Sequence, residues 1–232
     1  MSQVKLRVVP STGFSGRGLK ASLFVFLVAF FGLAPETRAQ GPWEAIDIGT
    51  MFDGWDTIAH AVNDRGQVVG LAQAPLSDGT VHRRAFVWTP ATGFVDLGHL
   101  GKDESMALGI NNAGQVVGES RTAAPNFAYR AFLWSPATGM VDIDGTGFVS
   151  QARDINDAGV VTGSRQVSGS YRAFRCTAAG GMVDVLGPVS FGGAVNDAGM
   201  IAGSGGPINT GQPLPRHLFV GLQPVECSLR AG

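Results

Sequence analysis

Two short stretches hold the side chains best suited to chemistry. Asp53, Trp55 and Asp56 set an indole between carboxylates, and His99, Lys102, Asp103 and Glu104 gather an imidazole, an ammonium and two carboxylates. An aromatic face beside carboxylates suits a sugar ring or a cation. A pair drawn from Asp53, Asp56, Asp103 and Glu104 could also serve glycosidic acid–base chemistry, but nothing in the spacing singles out two of them. Arg121 and Phe127, with His82 and Phe148, belong to the same set by their place in the repeat described below. The alternative for Trp55 is an aromatic that plugs a loop onto the layer beneath it.

Motifs that would fix a reaction are missing. The chain has no GxSxG elbow, no P-loop, no HExxH and no cysteine pair at metal-ligand spacing. Asp142-Ile-Asp144-Gly and Asp154-Ile-Asn156-Asp157 faintly resemble calcium loops, yet position twelve of each holds Arg153 or Arg165, where a bidentate Glu would be needed. Both read as turns. No catalytic residue, metal ligand or cofactor is assigned, and the ligand-binding candidates are Asp53, Trp55, Asp56, His99, Lys102, Asp103, Glu104, Arg121 and Phe127.

What must position these residues is a repeated unit. Asn63, Asn111, Asn156 and Asn196 each open an Asn-x-x-Gly turn, with separations of 48, 45 and 40 residues. A period of this size marks a propeller or a solenoid. The unit Gly109–Ile143 reads as four short strands: one ending at Asn111, then the VVG run, the AFLW run and the MVDI run. Asn opens the first turn through its side chain and Gly ends it at positive φ, as in a hairpin with a G1 bulge. The strands are apolar on consecutive positions, so both faces of each small sheet should be covered. The turn from Asn to the Gly of VVG is invariant in length, and so is the step from Arg84, Arg130 and Arg172 to Asp96, Asp142 and Asp184. All length variation falls in the other two connections. In an up-and-down sheet these lie at the opposite end, where the candidate residues belong. The recurring Arg and Asp, with Asp47 and Arg216, are expected to pair within or between sheets or to cap turns.

The expected fold is all-β: a β-propeller of four-stranded blades, four in number. Residues 44–49 (EAIDIG) match the fourth-strand segments, and the last repeat lacks one after Arg216-His217-Leu218-Phe219, so an N-terminal strand would close the ring. The alternative is an open, truncated array. The units AHAVNDRGQVVG, RAFVWTPATGFVDLG, ALGINNAGQVVG and RAFLWSPATGMVDI resemble the HAF-repeat family of extracellular bacterial proteins. The likeness runs from about Ala59 to Phe219 and weakens where RHLF replaces RAFLW. It implies export and a repeat architecture, and no catalytic residue comes with it.

Residues 1–39 have the layout of a signal peptide: a basic start, an apolar run from Ala21 to Ala34, and small residues before Gln40. That run is short for a membrane span. The domain is then 40–232, with no membrane span, in a secreted, periplasmic or cell-surface protein. It keeps twelve Lys plus Arg against seventeen Asp plus Glu, a net charge of −5 without a basic block. Nucleic acid is therefore a poor partner. Cys176 occupies the place of Trp88 and Trp134 and reads as a buried small hydrophobe, or as one half of a disulfide with Cys227. The expected function is a monomeric, non-catalytic binding or interaction module for a glycan or an extracellular protein. The rivals are a secreted polysaccharide hydrolase or lyase and a purely structural surface protein.

Overall fold

The computed structural model describes residues 45–75, 79–123, 128–146 and 148–205, together with the backbone of 217–220. The signal peptide expected at 1–39, and Phe127, Arg216 and Cys227, lie outside the described residues. Among the described residues every element is a strand, and the strands form four antiparallel sheets in chain order. The first sheet holds β1 (Thr57–Val62), β2 (Val68–Pro75), β3 (Val81–Thr89) and β4 (Gly93–Asp96). The second holds β5 (Gly101–Ile110), β6 (Val116–Thr122), β7 (Tyr129–Ser135) and β8 (Gly139–Asp142). The third holds β9 (Ser150–Ile155), β10 (Val161–Val167), β11 (Ser170–Thr177) and β12 (Gly181–Asp184). The fourth holds β13 (Ser190–Val195), β14 (Ile201–Gly205) and β15 (His217–Val220). All four belong to one unit running from Ile48.

The expected turns are formed. In the first sheet the Gly66 N–H donates to the Asn63 carbonyl, the Asn63 Oδ1 accepts from Gln67, and Gly66 has φ +69°. Gly114, Gly159 and Gly199 repeat that conformation, and Gly93, Gly139 and Gly181 end the second hairpins at φ +62 to +67°. Each first strand also carries a bulge, at His60, Leu108, Arg153 and Gly193.

Two expectations are corrected. Residues 45–50 form no strand, and the fourth sheet has three strands among the described residues, so the fourth strand expected from the N-terminus is not among them. The last repeat is also shifted by one residue. Gly203 faces Phe219 and Gly205 faces His217, as Gly70 faces Phe86 and Ala72 faces Arg84. His217, not Arg216, therefore holds the arginine position, and His-Leu-Phe matches Arg-Ala-Phe.

The apolar pattern is used as the sequence implies: both faces of the inner sheets are covered. Val69 and Ala85 of the first sheet pack on Ala107, Ile110 and Val116 of the second. Val117 and Ala131 pack in turn on Ala152, Ile155 and Phe174 of the third. Cys176 lies in this second cluster opposite Val161, as Trp134 lies opposite Val116. Burial pushes its thiol above the ordinary cysteine range.

A polar clamp joins successive sheets. The Ser105, Ser150 and Ser190 hydroxyls accept the N–H groups of Ala85, Ala131 and Ala173, in the third strand of the preceding sheet. Each stands six residues before its turn Asn. These donors are buried, so losing the acceptor costs about 1–3 kcal/mol. Ser150→Ala is expected to lower the thermal midpoint by about 2–4 °C for each kcal/mol lost. Thr57→Ala, at the same place in the first sheet, should cost less, because among the described residues the Thr57 hydroxyl accepts from the nearby Met51 N–H and not from a neighbouring sheet.

Candidate functional site

The 1–2 turns fix which ends of the sheets lie together. The Asn63 Nδ2 donates to the Asn111 carbonyl, Asn111 to Asn156, and Asn156 to Asn196. Beside this ladder runs a second one, in which the Asp64, Asn112 and Asp157 amides donate to the side chains of Asn112, Asp157 and Asp197. The four turns surround an opening of about 270 Å³. Its side-chain oxygens are largely engaged: both Asp157 oxygens accept from Asn112, whose backbone N–H and then side chain hold that carboxyl below its usual range. Among the described residues no group of three or more His, Cys, Asp or Glu is arranged to hold a metal ion.

The variable connections share the opposite end, and there the structure brings five of the sequence candidates together. Glu104, near the start of β5, is the hub. Its carboxylate takes the Arg83 guanidinium at 2.8 Å and Arg121 at 3.4 Å, and it bonds the Tyr129 hydroxyl. Burial opposes ionisation of Glu104, but the hydrogen bonds from Tyr129 and Arg83, with the charges of Arg83 and Arg121, outweigh it and depress the pKa. Burial and the bond to this carboxylate raise the Tyr129 phenol. Next to it, Asp103 pairs with Arg84 at 3.0 Å and with the His99 Nε2 at 3.1 Å. The His82 Nδ1 lies 2.8 Å from the Asp103 carbonyl, and Lys102 is exposed beside them.

Asp53, Trp55 and Asp56 stand apart from this cluster, in the bend before β1. Trp55 is half-buried and its backbone N–H closes the bend onto the Phe52 carbonyl, while Asp53 and Asp56 are exposed. Phe148 is half-exposed at the same end of the third sheet, and its carbonyl takes Arg130.

The recurring Arg and Asp are structural, as their constant spacing implies. Arg84 pairs with Asp96, Arg130 with Asp142 and Arg172 with Asp184, each within one sheet. Asp96 and Asp142 also cap the turns that follow them. The stretch from Asp142 that resembled a calcium loop is filled by these bonds, with Asp144 set between Arg130 and Arg165.

Sequence reasoning missed Arg83 and Tyr129, which complete the Glu104 cluster. A signal existed: both stand immediately before the recurring arginines Arg84 and Arg130, and so next to the variable loops. Comparison of the chain with protein-family models, curated proteins and solved structures finds no match.

Proposed function

We propose that the four sheets are blades of a β-propeller, kin to the HAF-repeat proteins, and that the exported domain is a non-catalytic binding module whose variable-loop end takes a glycan. The arrangement of the turns supports the propeller: all four 1–2 turns border one opening, as inner turns do around a propeller axis.

The observation that carries the binding reading is the preorganised polar surface around Glu104. Arg83 and Asp103 keep 44% and 48% of their side-chain surface exposed while their orientation is fixed by partners. Groups held this way can bond a hydroxyl-rich ligand without first losing rotamer freedom. Trp55 adds an aromatic surface at the same end. The same facts argue against Glu104 as a general acid. A general acid for glycoside cleavage needs a raised pKa, and Glu104 is moved the other way. Glu119 is the carboxyl that burial raises, but it receives the Gln151 side chain between the second and third sheets.

Titration with a panel of neutral and acidic oligosaccharides, read by calorimetry, tests this. At least one should bind, and Arg83→Ala or Trp55→Ala should weaken it tenfold or more, about 1.4 kcal/mol, with the thermal midpoint little changed. The oligosaccharide should be recovered intact. Binding that neither substitution alters, or cleavage of the sugar, would sink the reading.

A further inference from the structure

Each junction between successive sheets uses one set of contacts, and among the described residues the two ends of the series leave that set unfilled. At every internal junction a residue just before the turn Asn packs back on the preceding sheet: Ile110, Ile155 and Val195 are 8%, 4% and 8% exposed. Val62 holds this place in the first sheet and is 65% exposed, with Ile58 on the same strand at 48%. On the forward-facing side, Val69 and Val117 of β2 and β6 are fully buried by the next sheet, and Thr162 of β10 is closed over by Gly192. Ala202, at the same place in β14, is only half-buried.

The polar groups are matched in direction. Each sheet gives the next one three donors: the Asn side-chain amide, the following backbone N–H, and the N–H of the third strand. The fourth sheet presents the same three, at Asn196, Asp197 and, by the register of β15, Leu218. Among the described residues no carbonyl receives the Asn196 side-chain amide. The first sheet presents the matching acceptors: the Asn63 carbonyl, the Asp64 carboxylate and the Thr57 hydroxyl. An apolar face with acceptors at one end thus complements an apolar face with donors at the other. The chain's own fourth sheet leaves Val62 open.

We propose that the exposed face of the first sheet takes the fourth sheet of a second copy of this chain, head to tail, continuing the junction already made three times within the molecule. Such a contact is heterologous, so it builds a ring if the rotation closes and a filament if it does not. It replaces the monomer expected from the sequence, and it does not depend on whether the loop end binds a glycan.

The test is sedimentation of the whole protein as purified, over a wide range of concentration. The weight-average mass should rise at least twofold with concentration. Val62→Glu should hold the chain at monomer mass, and so should Ala202→Glu. Ser204→Glu, on the same face of β14, stands in if the latter lowers the melting midpoint. Mixing the two kinds of variant should restore a dimer, because each keeps the face that the other has lost. A wild-type monomer at every concentration would overturn the proposal in favour of closure within one chain. An Ala202→Glu variant that still dimerises by itself would overturn it in favour of a face-to-face contact between first sheets, and two monomeric variants whose mixture stays monomeric would overturn the head-to-tail pairing.

Discussion

Arg130→Met is expected to be among the most damaging single substitutions in the domain, lowering stability by about 3–5 kcal/mol. Arg130 is 8% exposed and its guanidinium donates to the Phe148 carbonyl at 3.1 Å and faces two carboxylates, Asp142 at 3.3 Å and Asp144 at 3.9 Å. The Asp144 side chain is fully buried, and its Oδ2 has no hydrogen bond. Arg130 therefore supplies the charge that faces that oxygen. Removing it leaves a buried carboxylate with Arg165 at 3.6 Å and the Thr146 hydroxyl at 2.7 Å, both on the other oxygen. Desolvation of an ion costs more than one distant partner returns, so the loss is that of an uncompensated buried charge, larger than the worth of the pair itself. The midpoint should fall by on the order of 10 °C. Adding Asp144→Asn should recover at least half of the deficit, which a loss of packing alone would not allow. Arg84→Met is the contrast: its partners Asp96 and Asp103 are 33% and 48% exposed, and it should cost no more than about 1 kcal/mol.

That contrast could not be read from the sequence, although the pairing could. The constant step from Arg to Asp marks a cross-strand pair, and all three pairs form. The depth of each depends on the loop after the Asp, which differs in every repeat. Asp144 follows Asp142 in one unit, while Gly98 and Leu186 stand at the corresponding places in the others. The turns were legible because they rest on local chemistry: Asn bonds the amide four residues on, and Gly supplies the positive φ. The layered core was legible from apolar residues at consecutive strand positions. The serine clamp was not read, yet a hydroxyl six residues before each turn Asn, at Thr57, Ser105, Ser150 and Ser190, was its signal. The register of the last repeat misled because identity favoured Arg216. Backbone pairing instead aligns the apolar Phe219 with Phe86 and Phe132, and carries His217 into the arginine place. On the loop face, clustering of His99, Lys102, Asp103, Glu104 and Arg121 followed from their position in the repeat. That Glu104 would be neutralised by guanidiniums, and so unsuited to acid catalysis, depended on Arg83 reaching across from the neighbouring sheet.

Gly118→Ala should be as costly as losing Arg130 and for a different reason, at about 3 kcal/mol or more. Gly118 lies in β6 opposite Phe132, and a Cβ there would overlap the Met106 carbonyl oxygen of β5 while standing 2.9 Å from the Phe132 ring and 3.0 Å from the Ala107 Cα. None of these can retreat cheaply. Met106 and Ala107 are backbone next to the bulge at Leu108, and Phe132 is fully buried between the first and second sheets. Overpacking of a tight core commonly costs about 1–3 kcal/mol, and an overlap with backbone in a central strand belongs at or above the top of that range. Gly70 and Gly163 meet the Ile58 and Gln151 carbonyls in the same way, which explains a glycine after the paired β-branched or apolar residues of β2, β6 and β10. Gly139→Ala gives the control. Its φ is +66° but nothing stands within 4 Å of the added carbon, so the cost is that of an alanine at positive φ alone, roughly 1–2 kcal/mol. Chemical denaturation of the two variants decides the matter. If Gly118→Ala lost no more stability than Gly139→Ala, the close approach of β5 to β6 would be wrong. The bulge that sets the first strand against the preceding sheet would then need another cause.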